Sequence, residues 1–309
     1  MTTQARKPKY TIHDGFLMPM GFPVEGFASG LIYEAQPGDI FIATYPKCGT
    51  TWAQHIVWLI QHDGEPLPEG KSMTVEIPHL EEVGKEVVAA LPTPRAIKTH
   101  LPFQMTPYHS EAKYIYVARN PFDCAVSMYH HTRGFIKHYD FAEGTFDEFF
   151  ECFIAGEVDW GFYFDNLMSW YDHKEDRNVL FLTYEDMKAN TRMAVIEIAE
   201  FLGSEYARKL KDEVILNKVL YHSSFEDMSK NQTRWSSKRP ENMPPFIRKG
   251  EVGDWQNYFS EDQTRRLSEK FLARTKGTGA ANLWADLTPP LPTFYDNFQD
   301  LDEVRVSLQ

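Results

Sequence analysis

Hydrophobic and polar positions follow one another in a pattern that predicts short buried strands separated by amphipathic helices. Continuous apolar runs predict strands over residues 39–45, 94–98, 113–118 and 178–183. Apolar residues at helical spacing predict helices over residues 50–62, 120–132, 145–155, 160–173, 190–202 and 261–273. Residues 1–30 are rich in glycine, proline and phenylalanine, which predicts extended chain and turns.

Strands that alternate with helices indicate an α/β fold with a mainly parallel central sheet, covered by helices on both faces. The sequence contains no internal repeat, low-complexity tract or long linker, so we expect one domain over residues 1–309. Ligands of such sheets bind beyond the carboxyl ends of the strands. The residues that directly follow each predicted strand are therefore the first candidates for a functional site.

Composition narrows the class of ligand. The chain of 309 residues is 42% hydrophobic and 25% charged, as is ordinary for a globular protein, and its net charge is −12. That charge argues against binding to nucleic acid, because such binding depends on neutralising phosphates. There is no apolar run of about 18 residues and no secretory signal, so we expect no contact with a membrane and a cytoplasmic location. The three scattered cysteines are consistent with reduced thiols.

The stretch TYPKCGTTW, residues 44–52, connects the first of these strands to a helix and has the composition of an anion-binding turn. The backbone N–H groups of Gly49, Thr50 and Thr51 would open the helix and point at an anion. Lys47 precedes Gly49, in the opposite order to the loop of nucleotide hydrolases. An ordinary strand–turn–helix with a surface lysine remains the structural alternative.

Two further basic stretches follow, and each has a plain alternative. In ARNPFDCAVSMYHH, residues 118–131, Arg119 and Ser127 could face a second phosphate, or Arg119 could pair with Asp123. In PPFIRKGEVGDWQNYF, residues 244–259, a basic loop could clamp a phosphate or simply be solvated. His100 follows a strand in IKTHLPF and could act as a general base. Three anion-holding stretches together predict a ligand with more than one phosphate.

These motifs together resemble the cytosolic sulfotransferase family. TYPKCGTTW is similar to the family's P-loop-like turn for the 5′-phosphosulfate of PAPS (3′-phosphoadenosine 5′-phosphosulfate), and VARNPFDCAVSMYHH to its segment for the 3′-phosphate. RKGEVGDW resembles the RKGxxGDW signature, carried here by a loop over residues 235–259, and KTHLP and YEDM also fit. The motifs occur in the family's order from about residue 38 to residue 259.

The resemblance implies transfer of a sulfuryl group from PAPS to the hydroxyl or amine of a small, mostly apolar acceptor, such as a phenol, catecholamine or steroid-like alcohol. The products would be the sulfated acceptor and PAP (adenosine 3′,5′-bisphosphate), without a metal. His100 would be the base, with Lys47 and Lys98 as catalytic cations. The residues implied to hold the donor are Lys47, Cys48, Gly49, Thr50, Thr51, Trp52, Arg119, Ser127, Tyr184, Ser223, Ser224, Phe225, Met228, Phe246, Arg248, Lys249 and Gly250. Residues 1–30 would line the acceptor side, and the implied acceptor contacts are Phe16, Phe22, His100 and Phe103.

The sequence departs from the family at two places. Cys48 stands where the family commonly has serine, and its position beside Lys47 at a helix N-terminus suggests a lowered thiol pKa and ready oxidation. The family's dimer signature KxxxTVxxxE reads QNYFSEDQTR here, so a monomer and a homodimer both remain open. Two other function classes are a small-molecule kinase, whose GxxxxGK[ST] loop is absent, and a non-catalytic sensor of PAPS or PAP.

Overall fold

A computed structural model describes residues 5–236 and 243–285 of the chain. The start of the expected N-terminal segment, residues 1–4, and residues 237–242 of the expected signature loop lie outside the described residues. The described residues belong to two compact units, one up to Tyr258 and one from Phe259, and each is described by itself. The single domain expected from the sequence stays a prediction.

The core of the first unit is a sheet of four parallel strands. These are β3 (Asp39–Thr44), β4 (Arg95–Thr99), β5 (Lys113–Ala118) and β6 (Val179–Thr183), in the order β4-β3-β5-β6. Every residue of the inner strand β3 is buried, as expected for a strand covered on both faces. The predicted α/β fold with a mainly parallel sheet is confirmed, and the predicted strand bounds agree to within one residue.

The pairing register aligns the carboxyl ends of the strands. Ala43 of β3 lies opposite Thr99 of β4, and Thr44 lies opposite Val117 of β5. Ala118 of β5 in turn lies opposite Thr183 of β6. The chain leaves all four strands at one edge of the sheet, so the candidate residues that follow each strand are gathered there.

The remaining elements of the first unit include a small β-hairpin, β1 (Tyr10–His13) with β2 (Phe16–Pro19). Its helices are α1 (Val24–Leu31), α2 (Thr50–Gln61), α3 (Met73–Glu76), α4 (Leu80–Val83), α5 (Lys85–Ala89), α6 (Pro121–Gly134), α7 (Ile136–Tyr139), α8 (Phe146–Ala155), α9 (Tyr163–Tyr171), α10 (Tyr184–Ala189), α11 (Thr191–Leu202), α12 (Ser204–Lys209), α13 (Glu213–His222) and α14 (Phe225–Ser229). Short 3-10 turns lie at Phe103–Met105, Gln232–Arg234 and Asp254–Asn257.

The hairpin and helix α1 correct the expectation of extended chain and turns over residues 1–30. Asp14 and Gly15 connect the two strands with φ values of 47° and 84°. Two successive positive φ angles are those of the tight turn that suits a two-residue hairpin, and an Asp-Gly pair favours it. The signal was therefore present in the sequence as the dipeptide between YTIH and FLMP.

Helix α1 packs closely on the short helix α4, and two glycines allow this contact. A Cβ atom on Gly26 would lie 2.3 Å from the backbone oxygen of Glu82, and one on Gly30 would lie 2.9 Å from that of Leu80. Since real Cβ atoms do not come so close to a backbone oxygen, the two helices require glycine at these positions. The contact fixes the place of α4, which carries Glu81 and Glu82.

The second unit contains α15 (Glu261–Thr275) and a short 3-10 turn at Gly279–Asn282. Helix α15 begins with a capping box, in which Ser260 Oγ accepts from Gln263 N and the Gln263 side chain accepts from Ser260 N. None of the helices in the described parts of the chain is long and apolar enough to cross a bilayer.

Replacing Gly26 with alanine tests the α1–α4 contact. Alanine stabilises a helix by about 1 kcal/mol relative to glycine through propensity alone. We expect the opposite sign here, a loss of about 1–3 kcal/mol in the free energy of unfolding, because the methyl group overpacks the contact. Urea unfolding measures it, with exposed Glu25→Ala on the same helix as a control that should change stability by less than about 0.5 kcal/mol. A stabilised Gly26→Ala variant would contradict the contact.

Candidate active site

One cavity of about 670 Å³ opens at the carboxyl edge of the sheet and brings the predicted stretches together. The sequence-predicted residues that line it are Phe22, Lys47, Gly49, Thr50, Thr51, Trp52, Lys98, His100, Arg119, Ser127, Tyr184, Ser223, Ser224, Phe225, Met228, Phe246, Arg248, Lys249 and Gly250. The ligand roles given to these residues by resemblance stay predictions. Their convergence on one cavity follows from the parallel register described above.

Three predicted residues lie elsewhere, and Cys48 is one of them. The Cys48 side chain is fully buried, with its Sγ 3.7 Å from Cys124 Sγ. Burial, reinforced by the hydrogen bond with Cys124, raises the pKa of the Cys48 thiol well above its ordinary value. The hypothesis of a lowered pKa and a reactive thiolate was therefore wrong. The helix N-terminus and Lys47 do not offset the loss of solvent around the sulfur.

The aromatic residues Phe16 and Phe103 are also absent from the cavity lining. The Phe16 ring packs beside that of Phe27, with 6.1 Å between centroids. The Phe103 ring stacks on His173 at 3.4 Å and meets the edge of Trp170. Phe16 and Phe103 thus pack with other aromatic rings, whereas Phe22 does line the cavity.

The turn between β3 and α2 has a backbone shape that only particular residues accept. Lys47 has φ 69° and Gly49 has φ 99°, both in the left-handed region. A Cβ atom at position 49 would also lie 2.9 Å from Tyr184 Cδ2. Both the backbone conformation and the space available therefore require glycine at this position. Helix α2 starts at Thr50, and its first N–H groups have no partner within the helix. Unpaired N–H groups at a helix N-terminus are suited to bind an anion.

Arg119 supports the same turn from the end of β5. Its Nη1 donates to the Lys47 carbonyl oxygen at 3.1 Å, and its guanidinium lies 4.4 Å from the centre of the Tyr184 ring. Asp123 bonds elsewhere, since its carboxylate accepts from Gly253 N at 2.7 Å and Trp255 N at 3.0 Å. The pairing of Arg119 with Asp123 considered above is replaced by a link between α6 and the RKGEVGDW loop.

The two cations of that loop share one carboxylate. Arg248 Nη1 lies 2.7 Å and Lys249 Nζ 2.5 Å from the oxygens of Asp254. Burial alone would raise the pKa of Asp254, but hydrogen bonds from Lys249, Arg248 and Asn257 outweigh it and lower the pKa to about 2. Asp254 thus holds both side chains beside the cavity, a role that the motif alone did not indicate.

His100 is held in one tautomer. Its Nδ1 lies 2.8 Å from the Thr44 carbonyl oxygen, which only accepts, so Nδ1 carries the hydrogen and Nε2 the lone pair. Burial, together with the nearby charges of Lys98 and His79, lowers the pKa of His100 well below its ordinary value. The ring is therefore neutral at pH 7, with an unprotonated nitrogen available as a proton acceptor.

Glu81 positions His100 through hydrogen bonds at the end of β4. Its side chain is fully buried, and one oxygen accepts from His100 N and from Thr99 Oγ1, each at 2.8 Å. Asn166 Nδ2 donates to the His100 carbonyl oxygen at 3.0 Å. Both peptide groups of His100 are thus fixed by side chains from other elements. No spacing in the sequence indicated Glu81 or Asn166.

The cavity beyond His100 contains further residues that sequence reasoning missed. The rings of His79 and Trp160 lie 4.9 and 5.2 Å from that of His100. Asp159 precedes Trp160 and is buried at the cavity wall, where desolvation raises its pKa to about 6 despite a hydrogen bond from Tyr139. Glu82 also lines this end. A region lined by Lys47, Arg119, Arg248 and Lys249 therefore adjoins a neutral imidazole, which in turn adjoins a pocket with aromatic walls and two carboxylates.

Comparisons with known proteins show the family of the chain and its fold. A family model described as "Sulfotransferase domain" matches residues 37–279. Human sulfotransferase 1C2 is 37% identical over 262 residues, which are 80% of this chain and 86% of that protein. The structure of mouse sulfotransferase SULT7A1 complexed with PAP matches at 29% identity with a TM-score of 0.70, over 88% of this chain and 96% of that one. Retinol dehydratase in complex with androsterone and PAP has a TM-score of 0.73 at 24% identity, over 88% and 91% of the two chains, which shows a shared fold.

The raised pKa of Asp159 predicts a pH-dependent stability. The folded state retains this proton up to about pH 6, whereas the unfolded chain loses it near pH 4, so raising the pH through this window destabilises the fold. Asp159→Asn removes the effect. We expect urea unfolding to show an advantage for the variant that is about 2 kcal/mol larger at pH 7.5 than at pH 4.5. An advantage independent of pH would contradict the buried, strained carboxylate.

Proposed function

Because this chain belongs to the cytosolic sulfotransferase family, we propose that its cavity binds PAPS between the β3–α2 turn and the RKGEVGDW loop, and that His100 accepts the acceptor's proton. The protein is a sulfotransferase that uses PAPS as donor and acts on small molecules. Its family membership removes the kinase and the sensor as alternatives. The observation that carries the proposed roles is the neutral, singly oriented His100 within the cavity that the basic stretches share.

The donor has one phosphate site at each end of the basic region. The free N–H groups of the first turn of α2, with Lys47, receive the 5′-phosphosulfate. Arg119, Arg248 and Lys249 receive the 3′-phosphate, for which the Asp254 carboxylate must give up part of its hold on the loop cations. Trp52 and Phe225, which both line the cavity, supply ring faces for the adenine.

The transfer step requires a proton acceptor and neutralisation of the leaving group. The acceptor oxygen forms a bond to sulfur as the bond from sulfur to the 5′-phosphate oxygen breaks, and PAP leaves. The acceptor's proton passes to His100 Nε2, which carries the lone pair because Nδ1–H is held by Thr44. Lys47 and Lys98 stabilise the negative charge that spreads toward the leaving oxygen and the sulfuryl oxygens.

The acceptor binds in the pocket beyond His100. Phe22, Phe135 and Trp160 line it, and the Phe22 and Trp160 rings meet edge to face with centroids 5.6 Å apart. Such walls suit the flat body of a phenol, a catecholamine or a steroid-like alcohol. The proposal is a small acceptor with an apolar body whose hydroxyl, or amine, reaches His100.

Replacing His100 with alanine tests the base. We expect kcat to fall by at least about 10²-fold with a phenol acceptor, because the variant lacks the proposed proton acceptor. PAP binding, measured by calorimetry, should persist, since the donor's phosphates are held by other residues. His62→Ala, an exposed histidine stacked on Trp58, is the control and should retain activity. An active His100→Ala enzyme would remove His100 from the base role.

Replacing Arg248 with alanine tests the 3′-phosphate site. Arg248 is proposed to contact a part of the donor that does not react, so the donor KM should rise by about tenfold or more through the loss of a charge-assisted hydrogen bond, while kcat changes little. Initial rates over a series of PAPS concentrations give both constants. Arg192→Ala, whose guanidinium pairs with Glu213 at the surface, is the matched control. A large fall in kcat at unchanged donor KM would contradict this role.

A further inference from the structure

Asp159 is the least compensated carboxylate of the acceptor pocket. The residue is 2% exposed, and one oxygen accepts from Tyr139 Oη at 2.6 Å. Its other oxygen, Oδ1, is buried and has no hydrogen-bond partner on another described residue, and besides the Tyr139 hydroxyl only the backbone N–H of Asp159 itself helps to lower the pKa through a hydrogen bond. A buried acceptor atom without a donor costs free energy, and more so on a charged group. A side chain at the wall of a ligand cavity can recover that cost from the ligand.

The backbone around Asp159 is also strained. Trp160 has φ 66°, although it is not glycine, and Gly161 follows with φ 77°. A bulky residue in this region costs about 1–3 kcal/mol and persists where the surroundings enforce it, often at ligand sites. The turn is held by a hydrogen bond from Trp160 N to the Leu17 carbonyl oxygen and one from Tyr45 Oη to that of Gly161. It places the Asp159 carboxylate and the Trp160 ring on the same cavity, with the ring against His100.

The charged groups of the pocket indicate which kind of ligand would complement the Asp159 carboxylate. Lys47 and Lys98 are assigned above to the sulfuryl group, and His100 is neutral in the free protein. The other titratable side chains of the acceptor end are Glu82, His79, His131, His138 and Tyr139. Of its two carboxylates, Glu82 lies 3.8 Å from His79 Nδ1, whereas Asp159 is bonded by a neutral tyrosine hydroxyl. The complement of Asp159 is therefore a cation. Lys47 is the cation whose charge lowers the pKa of Asp159, and it is assigned above to the sulfuryl group. A neutral hydroxyl would satisfy Asp159 Oδ1 but would add no positive charge beside it.

We propose that Asp159 is a specificity residue, and that the preferred acceptor carries a protonated amine on an aromatic body in addition to the hydroxyl that receives the sulfuryl group. This inference rests on the proposed function, because it assumes that the acceptor hydroxyl is directed at His100. The ammonium donates to Asp159 Oδ1 and pairs with its charge, while the aromatic body lies between Phe22, Trp160 and Phe135. Glu82, which also lines the cavity and whose side chain is 54% exposed, contributes a weaker attraction.

A matched pair of acceptors tests the proposal. Tyramine and 4-propylphenol have the same phenol ring and side chains of equal length. The side chain ends in an ammonium group in tyramine and in a methyl group in 4-propylphenol. The wild-type enzyme is expected to have the higher kcat/KM with tyramine. In Asp159→Asn, the ratio of the two kcat/KM values should fall by about tenfold or more, since the amide keeps the size of the side chain and removes its charge. The use of a ratio cancels any general damage to the enzyme.

Binding is measured separately from chemistry. Calorimetry of both phenols with the enzyme–PAP complex should show the same fall in preference, as expected for an anchor that does not react. Asp172→Asn, an exposed carboxylate at the end of α9 and outside the cavity, is the matched control. An unchanged ratio in Asp159→Asn, an equal fall in Asp172→Asn, or a collapse confined to Glu82→Gln would each overturn the assignment of Asp159.

The same assays distinguish a failure of the proposed role of His100 from a failure of the amine preference. If the wild-type enzyme binds PAP but the His100→Ala variant sulfates either phenol as fast as the wild type, the direction assumed for the acceptor is wrong. If the wild type turns over 4-propylphenol better than tyramine through His100, the proposed function stands and the amine preference is overturned.

Discussion

The site depends on the hydrogen bond from His100 Nδ1 to the Thr44 carbonyl oxygen. It connects the last residue of β3 to the residue after β4, and it can form because these parallel strands pair with Ala43 opposite Thr99. Thr44 also bonds Thr50 through its hydroxyl at 2.6 Å, so one residue orients both the imidazole and the start of α2. The register of the sheet thus permits the contact that fixes the tautomer of His100.

Much of this framework could be predicted from the sequence, because buried parallel strands leave continuous apolar runs and ligand residues follow them. The short helices over residues 73–89 and 204–229 were missed, since elements of four to ten residues show too few turns to establish a period. The hairpin at Asp14–Gly15 was missed although its turn dipeptide was visible. The start of α6 was predicted to within one residue, and Asn120 caps it, because its Oδ1 accepts from Phe122 N ahead of a first-turn proline.

The carboxylates of the site could not be predicted, because their behaviour depends on neighbours that are distant in sequence. Glu81 is buried like Asp159, but it accepts two hydrogen bonds from the β4 end and its pKa is lowered despite burial, chiefly through His79. Asp254 has two cations beside it. Asp159 has one tyrosine hydroxyl. These three acidic residues thus have three different electrostatic roles. Their different pKa shifts follow from neighbours that only the three-dimensional structure identifies.

The turn at Gly49 has a consequence for mutational tolerance. Two independent restrictions act on this position: the left-handed φ of 99° and the 2.9 Å approach of the Tyr184 ring to a hypothetical Cβ. A smaller residue at 184 would relieve the steric restriction but not the conformational one, and an asparagine at 49 would ease the conformational one but not the steric one. A substitution of Gly49 would therefore be tolerated only together with a change at position 184, so we expect glycine to be retained at position 49.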